Sequence, residues 1–131
     1  MPNISLGIIG GGQLGSMLTV AAKKLGIKVI IYCDDVNGPA QNFCDEYICG
    51  SYDDHNKINE FVDKVDTVTF EFENIPFKTL DEINKTKPVL PKPSVNRIIQ
   101  HRLAEKDFVN KLNIRTTRYA TVDKKSDLES L

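Results

Sequence analysis

Each thing this chain of 131 residues lacks removes a class of function. An excess of one charge is missing. Seventeen Lys and Arg stand against eighteen Asp and Glu, a net charge of -1. No field therefore favours nucleic acid or an anionic membrane, and any phosphate must be bound locally. No apolar run approaches the roughly 20 residues that a bilayer-spanning helix needs. Met1-Pro2-Asn3 leads into a strand pattern with neither a basic n-region nor an apolar h-region, which predicts a cytoplasmic chain. Cysteine is scarce: Cys33, Cys44 and Cys49 form no Cys-x-x-Cys pair, and each lies in or beside an apolar stretch. Buried, reduced thiols are expected, and a zinc site is not. Internal repeats and low-complexity segments are absent as well. What remains is 40% hydrophobic content, enough for one α/β domain with its own core.

The chain is organised around Leu6-Gly7-Ile8-Ile9-Gly10-Gly11-Gly12-Gln13-Leu14-Gly15. An apolar run ends in three glycines, and Leu14, Met17, Leu18, Ala21 and Leu25 follow at the spacing of one helix face. Strand, tight turn and helix are predicted. Gly10-x-Gly12-x-x-Gly15 puts glycine where the turn is sharp, where a ligand approaches the backbone, and where helix meets strand. Such a turn aims unpaired N–H groups and the positive end of a helix at one point, which suits an anion. The same pattern also makes a tight βα turn that binds nothing.

Beyond Gly26, Lys28 to Cys33 reads as a second buried strand ending at Asp34-Asp35. An acid about twenty residues past the glycines is where dinucleotide-binding folds hold the ribose of NAD, so Asp34 opens an NAD-binding alternative. Glu46 to Cys49 is a short third strand, and Asp53 or Asp54 can cap a helix carrying Ile58, Phe61, Val62 and Val65. Thr67 to Phe70 is a fourth strand running into Glu71-Phe72-Glu73-Asn74-Ile75-Pro76. Alternation puts Phe70 and Phe72 on one face and Glu71 and Glu73 on the other, at the strand's carboxyl end, where open α/β sheets bind ligands. Pro76 can open a helix with Phe77, Leu80 and Ile83, followed by a short strand at Val89-Leu90. Pro91 to Ser94 turns into one long helical tract from Val95 to Leu112, and Arg118 to Val122 reads as a last strand. This alternation predicts an α/β, doubly wound, mostly parallel sheet with its ligand site at the carboxyl edge.

Three stretches occur in order: Gly10 to Gly15, Phe70-Glu71-Phe72-Glu73-Asn74-Ile75-Pro76, and Gln100-His101-Arg102-Leu103-Ala104-Glu105-Lys106. Together they resemble the amino-terminal region of the 5-(carboxyamino)imidazole ribonucleotide synthase family, within the ATP-grasp superfamily, from Leu6 to about Tyr119. The resemblance implies a Rossmann-like pre-ATP-grasp domain over residues 1–115 and the start of an ATP-grasp domain over 116–131. It implies a ligase of purine biosynthesis that makes carboxyphosphate from ATP and bicarbonate and carboxylates the amine of aminoimidazole ribonucleotide. Carried over residue by residue, Gly12, Gln13, Leu14 and Glu73 become substrate-site candidates, and Arg102 an ATP contact. Backbone N–H groups near Gln13 suit a phosphate, Glu73 suits a hydroxyl or amine, and the permanent charge of Arg102 suits ATP phosphates.

Ser16 departs from the basic residue many relatives have after the last glycine. The family's ATP lysines and Mg2+-binding acids are expected beyond residue 131, so neither catalytic residues nor metal ligands are assigned within the chain. The resemblance further implies a homodimer, formed partly by later domains. The capping box Ser126-Asp127-Leu128-Glu129 predicts a helix opening next to the last residues, hence a chain cut just inside a following domain and inactive by itself. A non-catalytic interaction domain retaining the fold is a third reading.

Overall fold

A computed structural model describes residues 4–129 and divides the chain into two compact units, one running to Asn96 and one starting at Arg97. In the first unit β1 (Ser5–Ile9), α1 (Gln13–Lys24), β2 (Lys28–Cys33), a 3-10 turn (Pro39–Asn42), β3 (Glu46–Cys49), α2 (His55–Asp63), β4 (Thr67–Phe70) and α3 (Phe77–Asn84) follow one another. The sheet is parallel, in the order β3-β2-β1-β4. Ile9 lies beside Tyr32 on one side and Phe70 on the other, so β1, β2 and β4 end together. The predicted strand at Val89-Leu90 is reduced to a single bridge, Val89 to Val68, held by the Leu90 N–H on the Val68 carbonyl at 2.9 Å.

Two cores form because both sheet faces are apolar. On one, Ile9, Ile30, Tyr32 and Val68 meet Ile58, Phe61 and Val62 of α2 and Leu80 and Ile83 of α3, with Phe70 and Phe72 packed against them. On the other, Ile8, Val29, Ile31 and Cys33 meet Ala22 of α1 and Ala40. Asp54, not Asp53, caps α2 by accepting the Lys57 N–H at 3.1 Å. Cys33, Cys44 and Cys49 are free; Cys33 is buried and the other two are half-buried. Burial raises the pKa of the Cys44 thiol.

Helix α1 differs from its sequence reading. It meets the sheet through Gly15, Thr19 and Ala22, whereas Leu14, Met17, Leu18 and Leu25 are exposed. Close approach decides this: a Cβ on Gly15 would stand 2.6 Å from the Gly10 carbonyl oxygen, so the helix turns its smallest residues inward. The Thr19 hydroxyl is buried at no polar cost because it donates to the Gly15 carbonyl at 2.7 Å.

The long helical tract is also interrupted. Helix α4 (Pro93–Ile99) stops, Gln100 turns, and α5 (Arg102–Lys111) begins anew with His101 as its cap, Nδ1 accepting the Ala104 N–H at 3.3 Å. Residues 118–122 join no strand ladder among the described residues. The final helix, α6, runs Lys125–Glu129 and so opens before Ser126. Its Asp127 carboxylate accepts the N–H groups of Asp123 and Lys124, both at 3.0 Å, which shifts the acidic half of the predicted capping box by two positions.

Candidate functional site

The turn after β1 is built by contacts that leave no room for side chains. Gly10 adopts φ +109°, a left-handed conformation, and its N–H donates to the Tyr32 carbonyl at 2.8 Å. A Cβ on Gly11 would stand 2.6 Å from the Tyr47 hydroxyl oxygen. Gly12 opens α1 with extended backbone and no side chain to cap it. The first-turn N–H groups of Gln13 and Leu14 lie before the first intrahelical bonds of α1, and no acceptor takes them among the described residues. Both residues are exposed. Ser16 points its hydroxyl back to the Gly12 carbonyl at 3.1 Å.

A carboxylate stands against this turn, and it belongs to Glu71. Its Oε1 accepts the Gly12 N–H at 3.1 Å, and its own N–H donates to the Ile9 carbonyl at 3.1 Å. Strand β4 ends at Phe70, so Glu71 is the first residue beyond it, beside Gly10 in the neighbouring strand's continuation. Alternation puts Glu71 and Glu73 on one face, since strand periodicity carries no information on where a strand stops, and the family resemblance singled out Glu73, not Glu71. Glu73 lies two residues further on, exposed, in the turn that leads to α3. It follows the carboxyl end of β4, as Gly12 follows the carboxyl end of adjacent β1. Asp34 stands exposed after β2, where it accepts from the Cys33 thiol at 3.8 Å.

Arg102 opens α5 in the second unit, its side chain 77% exposed and paired with Glu105 one turn on. Within that unit it borders a hollow of about 460 Å³ with His101, Leu103, Lys106, Tyr119 and Val122. The Lys106 ammonium lies 6.0 Å from the centre of the Tyr119 ring, a cation–π arrangement, and the Tyr119 hydroxyl donates to Asp107 at 2.7 Å. Two cations and an aromatic ring therefore line one hollow. Among the described residues no group of three or more His, Cys, Asp and Glu converges to hold a metal ion, and no helix is long and apolar enough to cross a membrane.

Comparison with known proteins gives this geometry its context. A family model for the ribonucleotide synthetase preATP-grasp domain matches residues 3–100. The N5-carboxyaminoimidazole ribonucleotide synthase of Brucella melitensis is 39% identical over 127 residues, 97% of this chain and 35% of that protein. The structure of N5-carboxyaminoimidazole synthetase from Staphylococcus aureus complexed with ADP superposes with a TM-score of 0.90 at 30% identity, covering 97% of this chain and 34% of that one. An Aspergillus clavatus synthase in complex with ADP and 5-aminoimidazole ribonucleotide matches with a TM-score of 0.78 at 29% identity, over 88% of this chain and 31% of that one. None of these is a dehydrogenase, and the NAD reading through Asp34 is not favoured. This chain spans about a third of the length of these relatives, and on the match over residues 3–100 it belongs to the ribonucleotide synthetase preATP-grasp domain family.

Proposed function

We propose that this chain is the amino-terminal part of a cytoplasmic ATP-dependent carbon–nitrogen ligase that carboxylates aminoimidazole ribonucleotide with bicarbonate in purine biosynthesis. The observation that carries this reading is the turn itself. Open N–H groups at Gln13 and Leu14 sit beside a carboxylate at the carboxyl edge of a parallel sheet, where such sheets bind ligands. In this reading the backbone N–H groups of Gln13 and Leu14 hold the ribonucleotide, Gly12 gives it room to approach because it has no side chain, and Glu73 accepts a hydrogen bond from its hydroxyl or amine. Arg102, with Lys106 lining the same hollow, takes ATP phosphates. ATP supplies the phosphoryl group that activates bicarbonate. The ligands of its Mg2+ are expected beyond residue 131, in the longer enzyme.

Two tests bear on the proposal. Aminoimidazole ribonucleotide should move the amide resonances of Gln13 and Leu14 in a titration of the 131-residue chain, whereas NAD should not. Unmoved amides would count against the turn as the ribonucleotide site. Arg102 is the ATP contact that the chain supplies, and phosphoryl transfer depends on several cations acting together, so the chain alone should release no phosphate from ATP. Release that depends on both bicarbonate and aminoimidazole ribonucleotide, above a mock preparation, would refute that.

The longer enzyme is proposed to be a homodimer. Helix α1 supports this with its exposed Leu14, Met17 and Leu18, a contiguous apolar stripe of the kind that marks interaction surfaces.

A further inference from the structure

We infer that Glu71 is the specificity-determining residue of the glycine turn: its carboxylate closes the amino-terminal end of α1 to phosphate and to dinucleotide pyrophosphate. This rests on the reading that the turn faces a ligand and narrows what that ligand presents there. In a dinucleotide-binding fold the glycines make space for pyrophosphate at the helix end. Here they make space for Glu71. A Cβ on Gly10 would stand 2.4 Å from the Glu71 Cγ and 2.9 Å from its carboxyl carbon, and one on Gly12 would stand 3.0 Å from Oε1. The Gly12 N–H, a donor that an incoming phosphate would need, is already given to Oε1 at 3.1 Å.

Helix α1 has no acidic residue in its first turn and no side-chain cap, so a carboxylate from the residue that follows β4 complements its positive end. No salt bridge engages Glu71 among the described residues, and its charge stays directed at the turn. The Gln13 and Leu14 N–H groups directly follow that occupied donor in the chain. A phosphate bound to them would lie close to the Glu71 carboxylate, and like-charge repulsion over a few ångströms costs about tenfold or more in binding. The expectation that N–H groups near Gln13 receive a phosphate is therefore revised. The turn suits an uncharged acceptor or a hydroxyl shared with Glu71, and the ligand's phosphate binds elsewhere.

Glu71→Gln keeps the shape of the side chain and removes its charge. In amide titrations at constant ionic strength, inorganic phosphate and, separately, NAD should shift Gln13 and Leu14 in the variant at concentrations at least about tenfold lower than in the parent chain. Equal response of parent and variant, or none in either with the spectrum still dispersed, would overturn the proposal. Should Glu71→Gln fail to fold, Glu71→Ala, which removes the charge together with the carboxyl group, provides the same comparison. Failure of both to fold would make Glu71 a structural cap and nothing more. Neither ligand involves aminoimidazole ribonucleotide or bicarbonate, so this result and that of the functional proposal can fail separately.

Discussion

At the scale of single residues, the glycine motif supports more than one kind of contact, and substitution separates them. Gly10→Ala forces a side chain into φ +109° and against Glu71, and should cost about 3 kcal/mol in denaturant unfolding. Gly26 has φ +74° with nothing within 4 Å of a Cβ, so Gly26→Ala should cost only about 1 kcal/mol, the backbone penalty alone. Equal losses would mean that the contact with Glu71 contributes nothing. Glu73 is exposed, so Glu73→Ala should leave stability nearly unchanged. In the full-length enzyme it should raise the apparent constant for the ribonucleotide about tenfold, the cost of removing a charged hydrogen-bond acceptor. An unchanged constant would return Glu73 to the status of a solvated surface acid. Strand alternation offered both acids of Glu-Phe-Glu, and the family resemblance selected Glu73. What separates them is that β4 stops at Phe70 and leaves Glu71 beside Gly12.

At the scale of elements, helices α1 and α2 show how far periodicity reaches. In α2 the apolar residues Ile58, Phe61 and Val62 face the core as their spacing predicts. In α1 the same kind of spacing marks the outer face, because Gly15, Thr19 and Ala22 allow a closer approach to the sheet than Leu or Met would. Met17→Gln should therefore change stability by no more than about 0.5 kcal/mol, whereas Phe61→Ala should cost about 3–5 kcal/mol. If Met17 is part of a contact between copies, Met17→Glu in the full-length enzyme should lower the sedimenting mass without unfolding the chain. A short element can also be overruled locally. Gln100-His101 breaks a tract that is apolar on one side throughout, because His101 satisfies a first-turn N–H of α5 that a continuous helix would have bonded internally.

At the scale of the whole molecule, ionisable groups tie elements together and make stability depend on pH. Asp45 accepts from the Lys23 ammonium at 2.7 Å and from the Val29 N–H at 2.8 Å, joining α1 to β2. These contacts, the lysine first, hold its carboxyl below the usual value of 3.8. A lowered folded-state pKa means that the stabilisation is present at neutral pH and is lost as pH falls through the folded value. The pair is partly exposed and screened, so Asp45→Asn should cost about 0.5–1 kcal/mol at pH 7 and nothing measurable once the parent carboxylate is protonated. Denaturant curves at the two pH values check this. The alkaline side runs the other way. Burial pushes the Tyr32 phenol up to about 12, with its hydroxyl donating to the Ser51 carbonyl at 2.6 Å, and raises Tyr47 and Tyr52 as well. A raised value means that stability is whole below the unfolded value of about 10 and declines as pH rises toward 12. Phenolate absorbance of the buried Tyr32 should therefore appear together with unfolding, not before it.

The amino-acid sequence alone determined the strands β1 to β4, the parallel α/β class and the turn at Gly10 to Gly15. Each depends on neighbours along the chain: β-branched runs, caps and glycine spacing. The motifs Glu-Phe-Glu-Asn-Ile-Pro and Arg-Leu-Ala-Glu-Lys pointed to the family that the match over residues 3–100 shows. Tertiary structure decided which face of α1 is buried, where β4 ends, and that Val89 makes one bridge where a strand was expected. It also decided that Glu71 reaches the helix end. These outcomes depend on distances between segments some sixty residues apart, such as Gly12 to Glu71. Close packing fixes those distances to within a fraction of an ångström, whereas the periodicity of a single segment leaves them open.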